Sequence, residues 1–209
     1  MHTPWDILFP KRCMGCGIYD RYICSSCWEE KIRPYESWQY KTNPLWAFYY
    51  ANPLGRSLIE ELKYRHATQI VAELGERMAE ILISLYQRVP QFLIIPIPLS
   101  KQKLRLRGFN QAELLAYSIA QKTHLMLNIG ILERMRHVPS QTLFHNHDAR
   151  RKNVKGEFRI TPNAKEAMRG RKILLIDDVS TSGATLDEAT ATLKAAGAKQ
   201  ILGLVAAKG

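Results

Sequence analysis

Residues 172–190 read KILLIDDVSTSGATLDEAT. Four apolar residues, Ile173 to Ile176, run into two adjacent aspartates, Asp177 and Asp178. Small hydroxyl residues and one glycine follow, and then a helix-like segment. A short apolar run bounded by a polar turn reads as a buried strand. In an open α/β sheet, ligands bind at the carboxyl ends of the strands, and the reading sets Asp177 and Asp178 at such an end. Two neighbouring carboxylates can accept hydrogen bonds from a vicinal diol such as the 2′ and 3′ hydroxyls of ribose. The amides that open the next helix favour an anion. The hydroxyls of Thr181, Ser182 and Thr185 add donors, and Gly183 and Ala184 let the backbone approach a phosphate closely. Asp177 and Asp178 are therefore expected to hold a ribose diol, and Thr181, Ser182, Gly183, Ala184 and Thr185 its 5-phosphate. An ordinary helix cap after a strand does not account for two successive aspartates. A Walker loop is excluded, because no G-K-[ST] occurs here.

Working outward, the chain alternates strand and helix patterns. FLIIPIP (92–98) reads as a short buried strand, NQAELLAYSIAQKTH (110–124) as an amphipathic helix capped by Asn110, and LNIGILERM (127–135) as a strand. TLDEATATLKAAGA ends a helix at Gly197, and QILGLVAA is a final strand. Upstream, Asn52 and Pro53 open a helix. Ile70, Val71, Leu74, Met78, Ile81, Leu82 and Leu85 share one face of another. SWQYKTNPLWAFYYAN reads as two strands about Asn43-Pro44. The order implies an α/β fold, a parallel sheet with helices on its faces.

The 209 residues carry a net charge of +11, unevenly spread. Residues 99–160 hold twelve Lys/Arg against four Asp/Glu, a net of +8, whereas the segments before them nearly balance. Such a block suits an anionic partner: phosphate, nucleic acid or a lipid surface. Twelve of nineteen aromatic residues precede residue 51. Those around the cysteines described below, Trp5, Phe9, Tyr19, Tyr22 and Trp28, read either as the core of a small module or as a surface on which unpaired bases stack. No apolar run approaches the ~20 residues of a membrane span. The opening stretch lacks the order of a signal peptide, so a cytoplasmic protein is expected.

All four cysteines fall in CMGCGIYDRYICSSC: Cys13, Cys16, Cys24 and Cys27. Two C-x-x-C turns can aim four thiolates at one point, the donor set of structural zinc. Gly15 and Gly17 suit the positive φ angles of a metal knuckle. Two disulfides are the alternative, disfavoured in a reducing compartment. The domain reading is a four-cysteine zinc-finger module over 1–35 and an α/β domain over 36–209.

LLIDDVSTSGAT resembles the phosphoribosyl pyrophosphate signature of the type I phosphoribosyltransferases. IPIPLSKQKLRLRGFNQAELLA, SQTLFHNHDARRKNVKGEFRI, LIEELKYRH and the four-cysteine head with its CW pair are similar to the ComF family of competence-associated proteins. The resemblance covers nearly the whole chain. It implies the type I phosphoribosyltransferase fold and phosphoribosyl pyrophosphate bound with Mg²⁺. It also implies a cytoplasmic bacterial protein that assists DNA uptake in natural transformation; the basic block and the aromatic head favour the handling of single-stranded DNA. A peripheral place beside uptake machinery at the inner membrane face is compatible with it. The loop after the first parallel strand would hold pyrophosphate, through Ser100 and Lys101. Arg105 and Arg107, on one side if the segment is extended, would bind pyrophosphate or a nucleic-acid backbone. Gln141, Arg150 and Asn153 match the mobile loop of the family, and the His145-x-His147 pair reads as ordinary loop. Purine-type transferases carry an acidic residue in the phosphate loop, where this chain has Thr181. No catalytic residue or acceptor site is therefore identified, and an active phosphoribosyltransferase of unknown acceptor stands as the alternative.

Overall fold

The structure, a computed structural model, describes residues 11–32, 44–63, 68–86, 91–135 and 156–209. In the head, a short helix α1 (Ser25–Cys27) runs into a π-helical turn (Trp28–Ile32). The body follows as β1 (Leu45–Tyr49), α2 (Pro53–Glu61), α3 (Thr68–Leu85), β2 (Phe92–Pro96), α4 (Lys101–Arg107), α5 (Gln111–Thr123) and β3 (Met126–Leu127). Then come β4 (Leu132–Arg134), β5 (Phe158–Ile160), α6 (Lys165–Met168), β6 (Lys172–Ser180), α7 (Ala184–Ala195) and β7 (Gln200–Lys208).

Five strands form one parallel sheet in the order β1-β7-β6-β2-β3, as the alternation of patterns implied. β4 and β5 form a separate antiparallel pair. The central strands are apolar on both faces because both are covered. Ile94, Leu174, Ile176 and Leu204 enter one core with α2, α3, α5 and the head. Leu93, Ile95, Ile173, Leu175 and Val205 enter the other with α6, α7 and the β4–β5 pair.

Asn52 caps α2 by accepting from the Gly55 amide at 2.9 Å, and Asn110 caps α5 by accepting from the Ala112 amide at 3.1 Å. Three expectations change. LNIGILERM is not one strand: β3 joins the sheet, while β4 turns away to pair with β5. KQKLRLR is a helix, not an extended segment. Ser100 caps it, its Oγ 3.3 Å from the Lys103 amide. Gly108 ends it at φ 80°, donating to the Leu104 carbonyl at 2.7 Å. Residues two apart on a helix do not face each other, so Arg105 and Arg107 diverge. Lys101 pairs in direction with Arg105, and Lys103 with Arg107. Third, the acidic pair does not terminate β6, which runs on to Ser180. The first strand about Asn43-Pro44 and the chain around residue 35 lie outside the described residues.

The head packs directly on the body. Cys13, Ile23, Cys27, Trp28 and Ile32 share the core that holds Phe48, Leu58 and Leu74. Trp28 meets Phe48 edge to face, ring centroids 6.1 Å apart, and the Arg77 guanidinium lies 5.6 Å from the Trp28 ring. No helix among the described residues is long and apolar enough to cross a membrane.

Trp28 is only 4% exposed, so Trp28→Ala should cost about 3–5 kcal/mol, the range for truncating a buried aromatic. Denaturant unfolding should register that loss in the main transition. A loss confined to a separate early transition of the head would contradict the shared core.

Candidate functional site

The sheet reverses its winding between β2 and β6: the chain goes from β2 outward to β3, then back to β6 and outward to β7. A crevice opens at such a point beyond the strand ends. β2 pairs with β6 from Phe92–Lys172 to Pro96–Ile176, and the Ile97 amide adds one more bond to the Ile176 carbonyl at 2.8 Å. Beyond that point β6 is paired only with β7, as far as Ser180–Lys208. The edge of β6 from Asp177 onward is thus freed by the end of β2.

The aspartates stand on this free edge. The Asp178 amide donates to Asp177 Oδ1 at 2.9 Å, and the Val179 amide to Asp178 Oδ1 at 2.8 Å. The Asp178 amide, on the β2 side of the strand, so takes a side-chain partner where β2 no longer supplies one. Side chains alternate across a strand, and Ile173 and Leu175 face the α7 side. Asp177 lines an open concavity with Val179, Ser180 and residues 181–186. Asp178 follows directly, outside that lining, with its carboxyl close enough to bear on that of Asp177. Burial and, next, the Asp178 charge push the Asp177 carboxyl well above its ordinary range. The Asp178 amide and the Arg134 charge act the other way.

The loop after β6 reaches its glycine at Gly183, φ 78°, which caps α7 without any side-chain capping bond. Asn52, Ser100 and Asn110 each cap a helix with a side-chain oxygen; Gly183, at the same position of α7, has none to offer. The nearest substitute is Ser182 Oγ, 3.4 Å from the Ala184 amide. Helix-start amides beside a concavity lined by Thr181, Ser182 and Thr185 are the kind of arrangement that can accept an anion. All five predicted phosphate-loop residues line the concavity together with Asp177.

Ser100 and Lys101 sit on the other bank of the crevice, where β2 leads into α4. The hydroxyl of Ser100 is engaged in capping α4, and the lining of the concavity includes neither of them, nor Arg105 or Arg107. Leu104 and Leu106 of α4 are exposed, Leu106 at 80%. Gln141, Arg150, Asn153 and the His145–His147 pair lie outside the described residues. The sequence reading missed Arg134. It leaves β4 to meet Glu157 at 2.7 Å in a largely buried ion pair, and it brings positive charge to Asp177.

In the head, the four cysteine sulfurs lie within 4.8 Å of one another, and none is in a disulfide. Cys16 Sγ and Cys24 Sγ are 3.6 Å apart, close to the ~3.8 Å edge of a tetrahedron with ~2.3 Å metal–sulfur bonds. The donor set fits a metal ion, with no fifth protein ligand in the cluster among the described residues. Burial alone would raise Cys13, but the amides of Cys24, Gly15 and Cys16 outweigh it and bring the thiol to about 6. Burial and the other three sulfurs push Cys27 up to about 12. Gly17 has the expected positive φ of 78°, whereas Gly15 is required for space: a Cβ there would stand 2.7 Å from Cys27 Sγ.

Comparison with known proteins covers both the body and the head. The phosphoribosyl transferase domain family matches residues 113–208. The chain is 28% identical to competence protein F of Haemophilus influenzae over 92% of its own length and 95% of that protein. It is 31% identical to DNA utilization protein YhgH of Escherichia coli O157:H7, over 73% of this chain and 66% of that one. It is 28% identical to competence protein ComFC of Bacillus subtilis, over 78% of this chain and 62% of that one. With a phosphoribosyl transferase domain behind a four-cysteine head, the chain belongs to the ComF family.

Proposed function

We propose that this protein binds phosphoribosyl pyrophosphate with Mg²⁺ at the end of β6 and handles single-stranded DNA during uptake on the cytoplasmic side of the membrane. The observation that carries the first half is the uncapped α7 N-terminus at Gly183, beside a carboxylate pair on a free strand edge. The 5-phosphate would take the amides and hydroxyls of Thr181 to Thr185. The ribose hydroxyls would donate to Asp177 and Asp178 across the edge of β6. Pyrophosphate would then extend toward Ser100 and Lys101, where the cation on α4 favours it. In the head, Cys13, Cys16, Cys24 and Cys27 would hold zinc; a closed sulfur shell supplies folding energy and no open position for chemistry.

The names of the relatives, two competence proteins and a DNA utilization protein, support the second half of the reading. So do the cations of α4, four basic residues in seven with no acid, of which Lys101, Lys103 and Arg105 are exposed. The alternative, an active phosphoribosyltransferase, is favoured by the domain match over residues 113–208. Against it, Thr181 offers no carboxylate to manage a base proton. Release of pyrophosphate on adding a free base or other acceptor would decide for the enzyme.

Asp178→Ala should weaken phosphoribosyl pyrophosphate by about 1.5–3 kcal/mol, the range for hydrogen bonds to a charged group, in calorimetry at saturating Mg²⁺. Unchanged affinity in the Asp177/Asp178 double alanine variant would contradict the diol assignment. Asp177→Asn carries a second expectation. A carboxyl whose folded pKa is raised above its unfolded value of about 3.8 destabilises the fold as pH climbs through that interval. The variant should therefore melt higher than wild type at neutral pH, and the gain should vanish toward pH 3.8. A variant less stable at neutral pH would show that the ionised carboxylate is supported by the fold.

Binding of mixed-sequence single-stranded DNA should fall steeply with salt, the slope changing by about 0.7 for each phosphate contact removed. Because α4 sends Arg105 and Arg107 in different directions, Lys101→Ala/Arg105→Ala and Lys103→Ala/Arg107→Ala should differ in how much slope they lose. Fluorescence anisotropy over a salt series measures this. No binding at low salt would refute DNA handling and leave the small-molecule transferase.

A further inference from the structure

The carboxylate of Glu73, on α3, reaches fifty residues back along the chain into the head. It accepts from the Tyr22 amide at 3.1 Å through both oxygens and from the Ile23 amide at 2.9 Å through Oε2. Cys24 follows immediately, its amide 3.4 Å from Cys13 Sγ and its own sulfur 3.4 Å from the Cys27 amide. One turn further along α3, Arg77 donates to Ser25 Oγ at 3.0 Å and lies over the Trp28 ring. The helix therefore holds the chain on both sides of Cys24, before it through the backbone amides that Glu73 accepts from and after it through the Ser25 and Trp28 side chains that Arg77 contacts.

Two consecutive amides at a half-buried loop could be satisfied by water. A carboxylate does more: it fixes the peptide planes entering Cys24 and so the direction of its sulfur. Charge argues against such a choice by itself, since four thiolates around a dication leave a net negative cluster and Glu73 adds to it. Arg77 offsets that repulsion from the same helix. Lys31, which donates to the Gly15 carbonyl at 2.7 Å, adds a cation on the other side of the cluster.

We propose that Glu73 is a positioning residue for the cysteine centre, and that Glu73 and Arg77 together couple metal occupancy to α3 and hence to the α/β body. This rests on reading the four cysteines as a zinc site. Outer contacts of this kind are worth about 10–100-fold in metal affinity. The full-length protein is loaded with zinc and competed against a chromophoric chelator, alongside Glu73→Ala, Glu73→Gln and the control Glu76→Ala. Glu76 serves as control because it lies on the same helix but faces Lys122, 3.6 Å away, on α5.

Glu73→Ala should lose zinc affinity about 10–100-fold, Glu73→Gln should lose less because one acceptor oxygen survives, and Glu76→Ala should be unchanged. The gap in melting temperature between zinc-loaded and chelated protein should narrow in Glu73→Ala, because tighter binding of a ligand to the folded state stabilises it more. An equal fall in both melting temperatures with wild-type zinc affinity would overturn the proposal, since that is the signature of ordinary packing. Should Glu73→Ala fail to fold, Glu73→Gln decides: folded and with wild-type affinity, it overturns the proposal equally. Wild-type protein that takes up no zinc would instead refute the zinc reading itself.

Discussion

Strand β6 is paired on both sides as far as Ile176 and on one side only from Asp177 to Ser180. This mismatch in strand length is the constraint on which the site depends. The Asp178 amide on that freed edge needs a partner, and the Asp177 carboxylate supplies it from within the strand. That carboxylate is then held at the mouth of the crevice with lone pairs to spare. Between β6 and α7 there is room for three loop residues, and Gly183 at a positive φ turns the chain so that the helix begins facing the concavity. The position of β2's end, the acidic pair and the uncapped helix are thus one arrangement.

Two parts of that arrangement are locally unfavourable. Asp177 is held where its charge is disfavoured, and the N-cap of α7 supplies no side-chain bond. Such features persist where the surrounding structure over-determines them, and they gather at functional sites. Here the surroundings are two cores on opposite faces of the sheet, each closed by helices. The head adds to one of them, so the cysteine cluster belongs to the packing of the body and is not a pendant.

The signature at 172–190 was legible because its chemistry is local: apolar run, acids, small loop and helix lie within nineteen residues. The cysteine cluster was legible for the same reason. Alternation of leucine with arginine in KQKLRLR misled, since two-residue periodicity suggests extension. Ser100 and Gly108, a cap at either end of seven good helix formers, carried the stronger signal. Gly15 could not be read correctly from sequence, because the atom that excludes a side chain there belongs to Cys27. Glu73 and Arg134 were invisible as well. Each is an ordinary charged residue on a helix or strand until a distant segment, Tyr22–Ile23 or Glu157 with Asp177, is folded against it.

Whether the crevice beyond the end of β2 receives a phosphoribosyl group is decided by a crystal structure with Mg²⁺ and phosphoribosyl pyrophosphate. The 5-phosphate should lie on the amides of Thr181 to Thr185 and the ribose hydroxyls on Asp177 and Asp178. A ligand bound elsewhere, or lying in the crevice with its 5-phosphate away from the start of α7, would contradict that assignment.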